Sequence, residues 1–107
     1  MYEDMAGELR EAVERVRAAT KMKGAGCLVE GAAVLLECEC PTRQNVEGAR
    51  SLLAHALRED ESGRSDWEAE RDAAVSREPG NGNAIRLAYA VSAAAIVDAY
   101  RRLEAQA

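Results

Sequence analysis

The sequence predicts an all-α protein, a compact single-domain bundle of about five helices joined by short loops. Three observations predict it. Alanine is abundant while aromatic residues are few, with Tyr2, Trp67, Tyr89 and Tyr100 and no phenylalanine, and alanine has the highest helix propensity. Apolar residues recur at three- and four-residue intervals along most of the chain. Between these stretches stand clusters of glycine, proline, serine and asparagine that end one helix and cap the next. At 107 residues the chain makes one domain, able to bury roughly 60–70% of its unfolded surface without staples.

The first helix is expected over residues 3–23. Met5, Leu9, Ala12, Val13, Val16 and Ala19 fall on one face. Glu3 and Asp4 sit at the positive end of the dipole, Lys21 and Lys23 at the negative end, and Gly24 offers a C-cap. Glu11 and Arg15 form an i,i+4 pair on the outer face. The second helix, 26–40, is apolar nearly all round and is therefore expected to be buried, with Pro41 ending it at Cys40.

Thr42 or Asn45 can cap the third helix, 43–60, whose inner stripe is Val46, Ala49, Leu53, Ala56 and Leu57. Ser65 and Glu68 match the capping box that opens the fourth helix, 66–78, with Trp67, Ala74 and Val75 on one side. Asn83 is the expected cap of the fifth, 84–105. That helix is expected to bury Ile85, Leu87, Ala88, Val91, Ala95, Ile96, Ala99 and Leu103.

A near-duplication spans the second and third helices. Val29-Glu30-Gly31-Ala32 with Leu35-Leu36 recurs seventeen residues later as Val46-Glu47-Gly48-Ala49 with Leu52-Leu53. Two copies are too few for a solenoid, whose arrays need three or more units. The second copy resembles the second helix of a tetratricopeptide unit, but the first lacks that family's glycine and aromatic positions, so the family is not carried over. Gly31 and Gly48 lie near the apolar stripes, so the two copies are read as a helix hairpin packed closely through glycine and alanine.

The N-terminus carries acids where a signal peptide would carry basic residues, and no membrane span is expected, since the apolar run from Ala84 to Val97 is interrupted by Arg86 and Ser92. The three cysteines form no disulfide framework. A cytoplasmic, reduced protein is expected. Cys27 and Cys38 return to one helix face but lie about 16 Å apart along the axis, too far for one metal ion or a disulfide. Cys38 and Cys40 point to opposite sides. The cysteines therefore read as small buried hydrophobes, and His55 as solvent-facing. No metal or cofactor is expected.

Glu8, Glu11 and Glu14 give E-x-x-E-x-x-E, a spacing that can hold magnesium. It resembles the first motif of all-α nucleotide pyrophosphohydrolases, whose second carboxylate pair has no counterpart here. Arginines 10, 15 and 17 interleave with the acids, as in a solvated ion-pair face. "PGNGNA" before the last helix reads as loop and cap.

Residues 58–72, "REDESGRSDWEAERD", carry most of the chain's imbalance: seven acids against three arginines, a net of −4, where the whole chain is −5. The acids are Glu59, Asp60, Glu61, Asp66, Glu68, Glu70 and Asp72, and the chain's one tryptophan, Trp67, stands among them. Tryptophan among polar groups is the profile of an interface hot spot, and clustered acids steer toward basic partners. These eight residues are the expected partner-binding surface, with Trp67 turned into the core as the other outcome. Direct nucleic-acid binding is not expected of so acidic a segment.

In size, charge and helicity, and locally in residues 58–72, the chain resembles small phage-encoded inhibitors, including anti-CRISPR proteins. That resemblance implies a non-enzymatic protein that docks on a basic surface of a host nucleic-acid-handling complex. The alternatives are a metal-dependent hydrolase using the glutamates of the first helix, or a self-associating helical protein using the last helix. A monomer is the expected state.

Overall fold

A computed structural model describes residues 2–21, 24–37 and 40–106. Among them are five α-helices: α1 (Tyr2–Ala19), α2 (Ala25–Leu36), α3 (Arg43–Leu57), α4 (Asp66–Arg77) and α5 (Gly82–Glu104), with one 3₁₀ turn, Pro79–Asn81, before α5. No strand occurs among the described residues; Glu59 and Ser65 form an isolated antiparallel bridge. Helix α1 packs on α2 and α5, α2 on α3, and α4 and α3 both pack on α5. The all-α single domain expected from the sequence is what forms.

Fully buried Met5, Leu9 and Val16 of α1 meet Val29 and Leu36 of α2 and Leu53 of α3, and α5 adds Ile85, Ile96 and Leu103. The spaces between are filled by alanines 12, 32, 33, 49, 56 and 99, all at 0% exposure. Small residues let the helices approach and keep a core with few aromatics dense. Ser92, which reads in sequence as a polar interruption, is itself fully buried. Its hydroxyl donates to the Ala12 carbonyl at 3.0 Å, tying α5 to α1.

Helix starts follow local chemistry. The Thr42 hydroxyl accepts from Asn45 N at 3.1 Å, and Ser65 accepts from Glu68 N at 3.2 Å. Helix ends are set by the tertiary structure, and there the sequence reading needs correction. Helix α1 stops at Ala19, not at residue 23 (residues 22 and 23 lie outside the described residues), because the Asn81 side-chain amide donates to the Ala19 carbonyl at 2.6 Å and the buried Thr20 hydroxyl is bonded to Glu78. Gly24 is the N-cap position of α2 with φ +53°, not the C-cap of α1.

Helix α2 ends at Leu36, well before Cys40; the side chain of Glu37, its C-cap residue, pairs with Arg10, and residues 38 and 39 lie outside the described residues. Helix α3 ends at Leu57, not residue 60, because Arg58 is extended and leads into the Glu59–Ser65 bridge. Helix α5 begins at Gly82, so Asn83 lies inside it rather than capping it.

Burial also differs from expectation. Cys27 is exposed and Val34 is 52% exposed, so α2 is not enclosed. The molecule measures 43 × 30 × 18 Å. Its thin dimension holds about two helix diameters of ~10 Å, so no helix has neighbours on every side. For the same reason Leu87 and Val91 of α5, expected inside, are 65% and 46% exposed.

The duplicated segments form the predicted hairpin, with a specific reciprocal contact. A methyl group built at Gly31 would lie 3.3 Å from Leu52 Cδ1, and one built at Gly48 would lie 3.1 Å from Leu35 Cδ1. Each copy's leucine thus covers the other copy's glycine. The close approach is between side chain and notch, not between the two backbones.

Candidate interaction surface

The acidic segment folds as an ordered turn rather than a solvated loop. Asp60 is its centre. One carboxylate oxygen accepts from the Ser62 amide at 2.8 Å, the Ser62 hydroxyl and the Arg64 amide at 3.1 Å. Across the turn Asp60 N donates to Arg64 O at 2.9 Å, and Gly63 takes the positive φ of 78° that closes it. The Ser62 hydroxyl, with the Arg64 amide behind it, holds the Asp60 carboxyl below its usual 3.8.

A carboxyl whose folded pKa lies below its unfolded value adds stability above the unfolded pKa and loses it as pH falls through the folded one. Acidification below pH 3.8 is therefore expected to open this turn locally. Hydrogen-exchange protection at the Ser62 and Arg64 amides, followed against pH, checks this; protection that is unchanged in Asp60→Ala would show that the carboxylate does not hold the turn.

Three more acids of the segment have duties inside the molecule. Asp72 pairs with Arg71 at 3.0 Å and with Arg64 at 3.1 Å, and these bonds, the Arg71 one foremost, keep its carboxyl low. Glu70 accepts from the Gly26 amide at 2.9 Å, so α4 supplies the anion that the first turn of α2 lacks in its own sequence. Glu68 accepts from the Ser65 hydroxyl at 3.4 Å within the cap of α4. What remains for an outside partner is Glu59, Glu61 and the half-exposed Asp66, none of which forms an ion pair among the described residues.

Trp67 does not belong to that surface. It is 2% exposed, its indole N–H donates to the Tyr89 carbonyl at 3.0 Å, and its ring lies 4.9 Å from that of Tyr89 at a tilt of 57°. Position 67 falls on the face of α4 that meets α5, and a buried tryptophan needs a partner for its N–H, which α5 provides. The hot-spot reading of Trp67 is corrected accordingly. Burial, with Glu70 nearby, pushes the Tyr89 phenol far above its usual range.

The other candidates stay apart. Glu8 pairs with Arg102 and Glu14 with Arg17, while Glu11 is exposed. Cys27 and Cys40 are both exposed, the reverse of the buried hydrophobes expected; Cys38 lies outside the described residues. His55 is exposed on α3. Among the described residues no three His, Cys, Asp or Glu side chains are placed to hold a metal ion, and no helix is long and apolar enough to cross a membrane.

A second exposed surface lies on the last helix, which the sequence offered for self-association, but on residues expected inside. Ala84, Leu87, Val91 and Ala94 stand three and four residues apart on the solvent side of α5, beside a shallow groove of about 440 Å³ that α1 borders with Arg15 and Ala18. The signal was present, since α5 carries two apolar stripes and a thin bundle can bury only one. Compared with protein-family models, curated proteins and solved structures, the chain matches none.

Proposed function

We propose that this is a non-enzymatic binding protein that presents the acidic turn between α3 and α4 to a basic surface on a partner protein. One observation carries the reading: Asp60 uses its carboxylate to fix the turn, while Glu59 and Glu61 on either side of it are exposed and make no ion pair among the described residues. Charges held on a rigid turn lose little freedom on docking, and they steer a basic partner toward the site. The resemblance to small phage-encoded inhibitors names one kind of partner, the basic nucleic-acid or subunit-docking surface of a host nuclease complex.

Affinity capture from a host lysate at low and physiological salt tests this, comparing the parent with Glu59→Lys/Glu61→Lys. Both side chains are exposed, so the variant should keep the parent's stability and bind about tenfold more weakly, as expected for two peripheral charges. Capture of the same protein at the same salt by both would overturn the assignment. The exposed stripe of Leu87 and Val91 favours self-association as a second reading. It gains support if the captured protein is another copy of the chain and Leu87→Glu, rather than the charge reversal, abolishes capture.

A further inference from the structure

A cavity of about 490 Å³ opens where the start of α1, one face of α3 and the end of α5 converge. That volume lies in the range of small-molecule sites. Arg43, Val46, Glu47 and Arg50 share one face of α3 and form its wall, and Tyr2, Leu103 and Pro41, just before α3, add to the lining. Gln106 lies at its edge, bonded to the Tyr2 hydroxyl.

The charges there are uneven. Arg43 is paired with Glu47 at 3.4 Å. Arg50 is half-buried, its Nε is sealed from solvent, and no acceptor reaches that atom. Other partly buried arginines among the described residues are satisfied: Arg15 by Ser92, Arg71 by Asp72, Arg102 by Glu8 and Asp98. Arg50 is the one partly buried arginine among the described residues that has neither a hydrogen bond nor an ion pair. A buried unsatisfied donor is also costly.

The geometry points to a binding site for a small organic carboxylate with an apolar body, its charged end on Arg50 and its body against Val46, Leu103 and the Tyr2 ring. With Arg43 neutralised by Glu47, one positive charge remains, which matches a monoanion. The paired terminal amino groups of a guanidinium present two parallel donors, the complement of a carboxylate. The apolar lining asks for more than a bare anion, and the presence of Glu47 disfavours a doubly charged phosphate.

The test is a titration of the ¹⁵N-labelled full chain, read at the Arg50 Nε–H resonance and the Val46 amide, with phenylacetate, acetate, 2-phenylethanol and inorganic phosphate. Phenylacetate should give a saturable shift at both positions. Acetate lacks the body and 2-phenylethanol lacks the charge, so each should bind about tenfold more weakly or worse, the worth of a charged hydrogen bond or a few buried methylenes. Arg50→Gln should abolish the phenylacetate shift at Val46. Should that variant fail to fold, the ligand series on the parent chain decides alone. The inference is overturned if phenylacetate up to about 10 mM, a very weak affinity, gives no saturable shift. It is equally overturned if 2-phenylethanol or phosphate binds as tightly, or if the shift survives in Arg50→Gln.

Discussion

Trp67→Ala is expected to destabilise the fold by about 3–5 kcal/mol, the usual cost of emptying a large aromatic site in a core. The indole is almost entirely buried, packs on Tyr89 and bonds its carbonyl. Domains of this size have about 5–15 kcal/mol in total, so the variant should sit near the limit of folding, with a melting temperature lower by roughly 15–25 °C. Trp67→Phe keeps one ring and loses the N–H, and should fall between parent and alanine variant. Denaturant unfolding followed by circular dichroism checks the order. If Trp67→Ala unfolds at the parent's midpoint, the side chain is not core in solution and the residue returns to the candidate binding surface. The contrast with Glu59→Lys/Glu61→Lys, expected to change binding and not stability, separates the two roles that the sequence places side by side.

Gly48→Leu is the second large effect expected, at about 1–3 kcal/mol for overpacking against Leu35. Leucine is the better helix former by about 0.8 kcal/mol, so propensity alone predicts the opposite sign. Leu35 decides the matter: its Cδ1 would lie 3.1 Å from the new Cβ, so Leu35 must give way before the larger side chain fits. In a Leu35→Ala background the penalty should largely vanish. A double-mutant cycle should then return a coupling of order 1 kcal/mol or more. Gly31→Leu with Leu52→Ala should behave alike, since Leu52 stands over Gly31 at 3.3 Å. Additive effects in both cycles would mean that the leucines do not occupy the glycine notches.

What could be read from the sequence was whatever depends on near neighbours. The caps at Thr42 and Ser65 act on amides three residues away, and the inner face of α1 follows from spacing alone. The ends of α1 and α2 could not be read, because Asn81 and Glu78 stop the first and the Glu37–Arg10 pair accompanies the end of the second. Those partners are 27 or more residues distant. Apolar content likewise told which helices were greasy but not which face would be covered. Cys27, Val34, Leu87 and Val91 are outside because the bundle is thin, a property of how the helices are stacked. Within the acidic segment, composition marked the place but could not assign duties. Glu70 serves α2 and Asp72 serves Arg64 and Arg71, and only the geometry leaves Glu59 and Glu61 over.

The interlocked glycines and leucines have a consequence for how the chain finds its own partner. Because the seventeen-residue shift that carries Gly31 to Gly48 also carries Leu35 to Leu52, it exchanges the two contacts, Gly31 with Leu52 and Gly48 with Leu35, as a local two-fold rotation would. A surface that fits a near-copy of itself also fits the same surface on another molecule. The two glycine–leucine contacts by themselves therefore do not distinguish α3 of the same chain from α2 or α3 of a neighbour. The distinction is made by the connector of residues 37–42, which holds the intended partner at an effective concentration in the millimolar range. Correct pairing is thus a matter of tether length, and the duplicated segment is where lengthening a loop would turn a fold into an assembly.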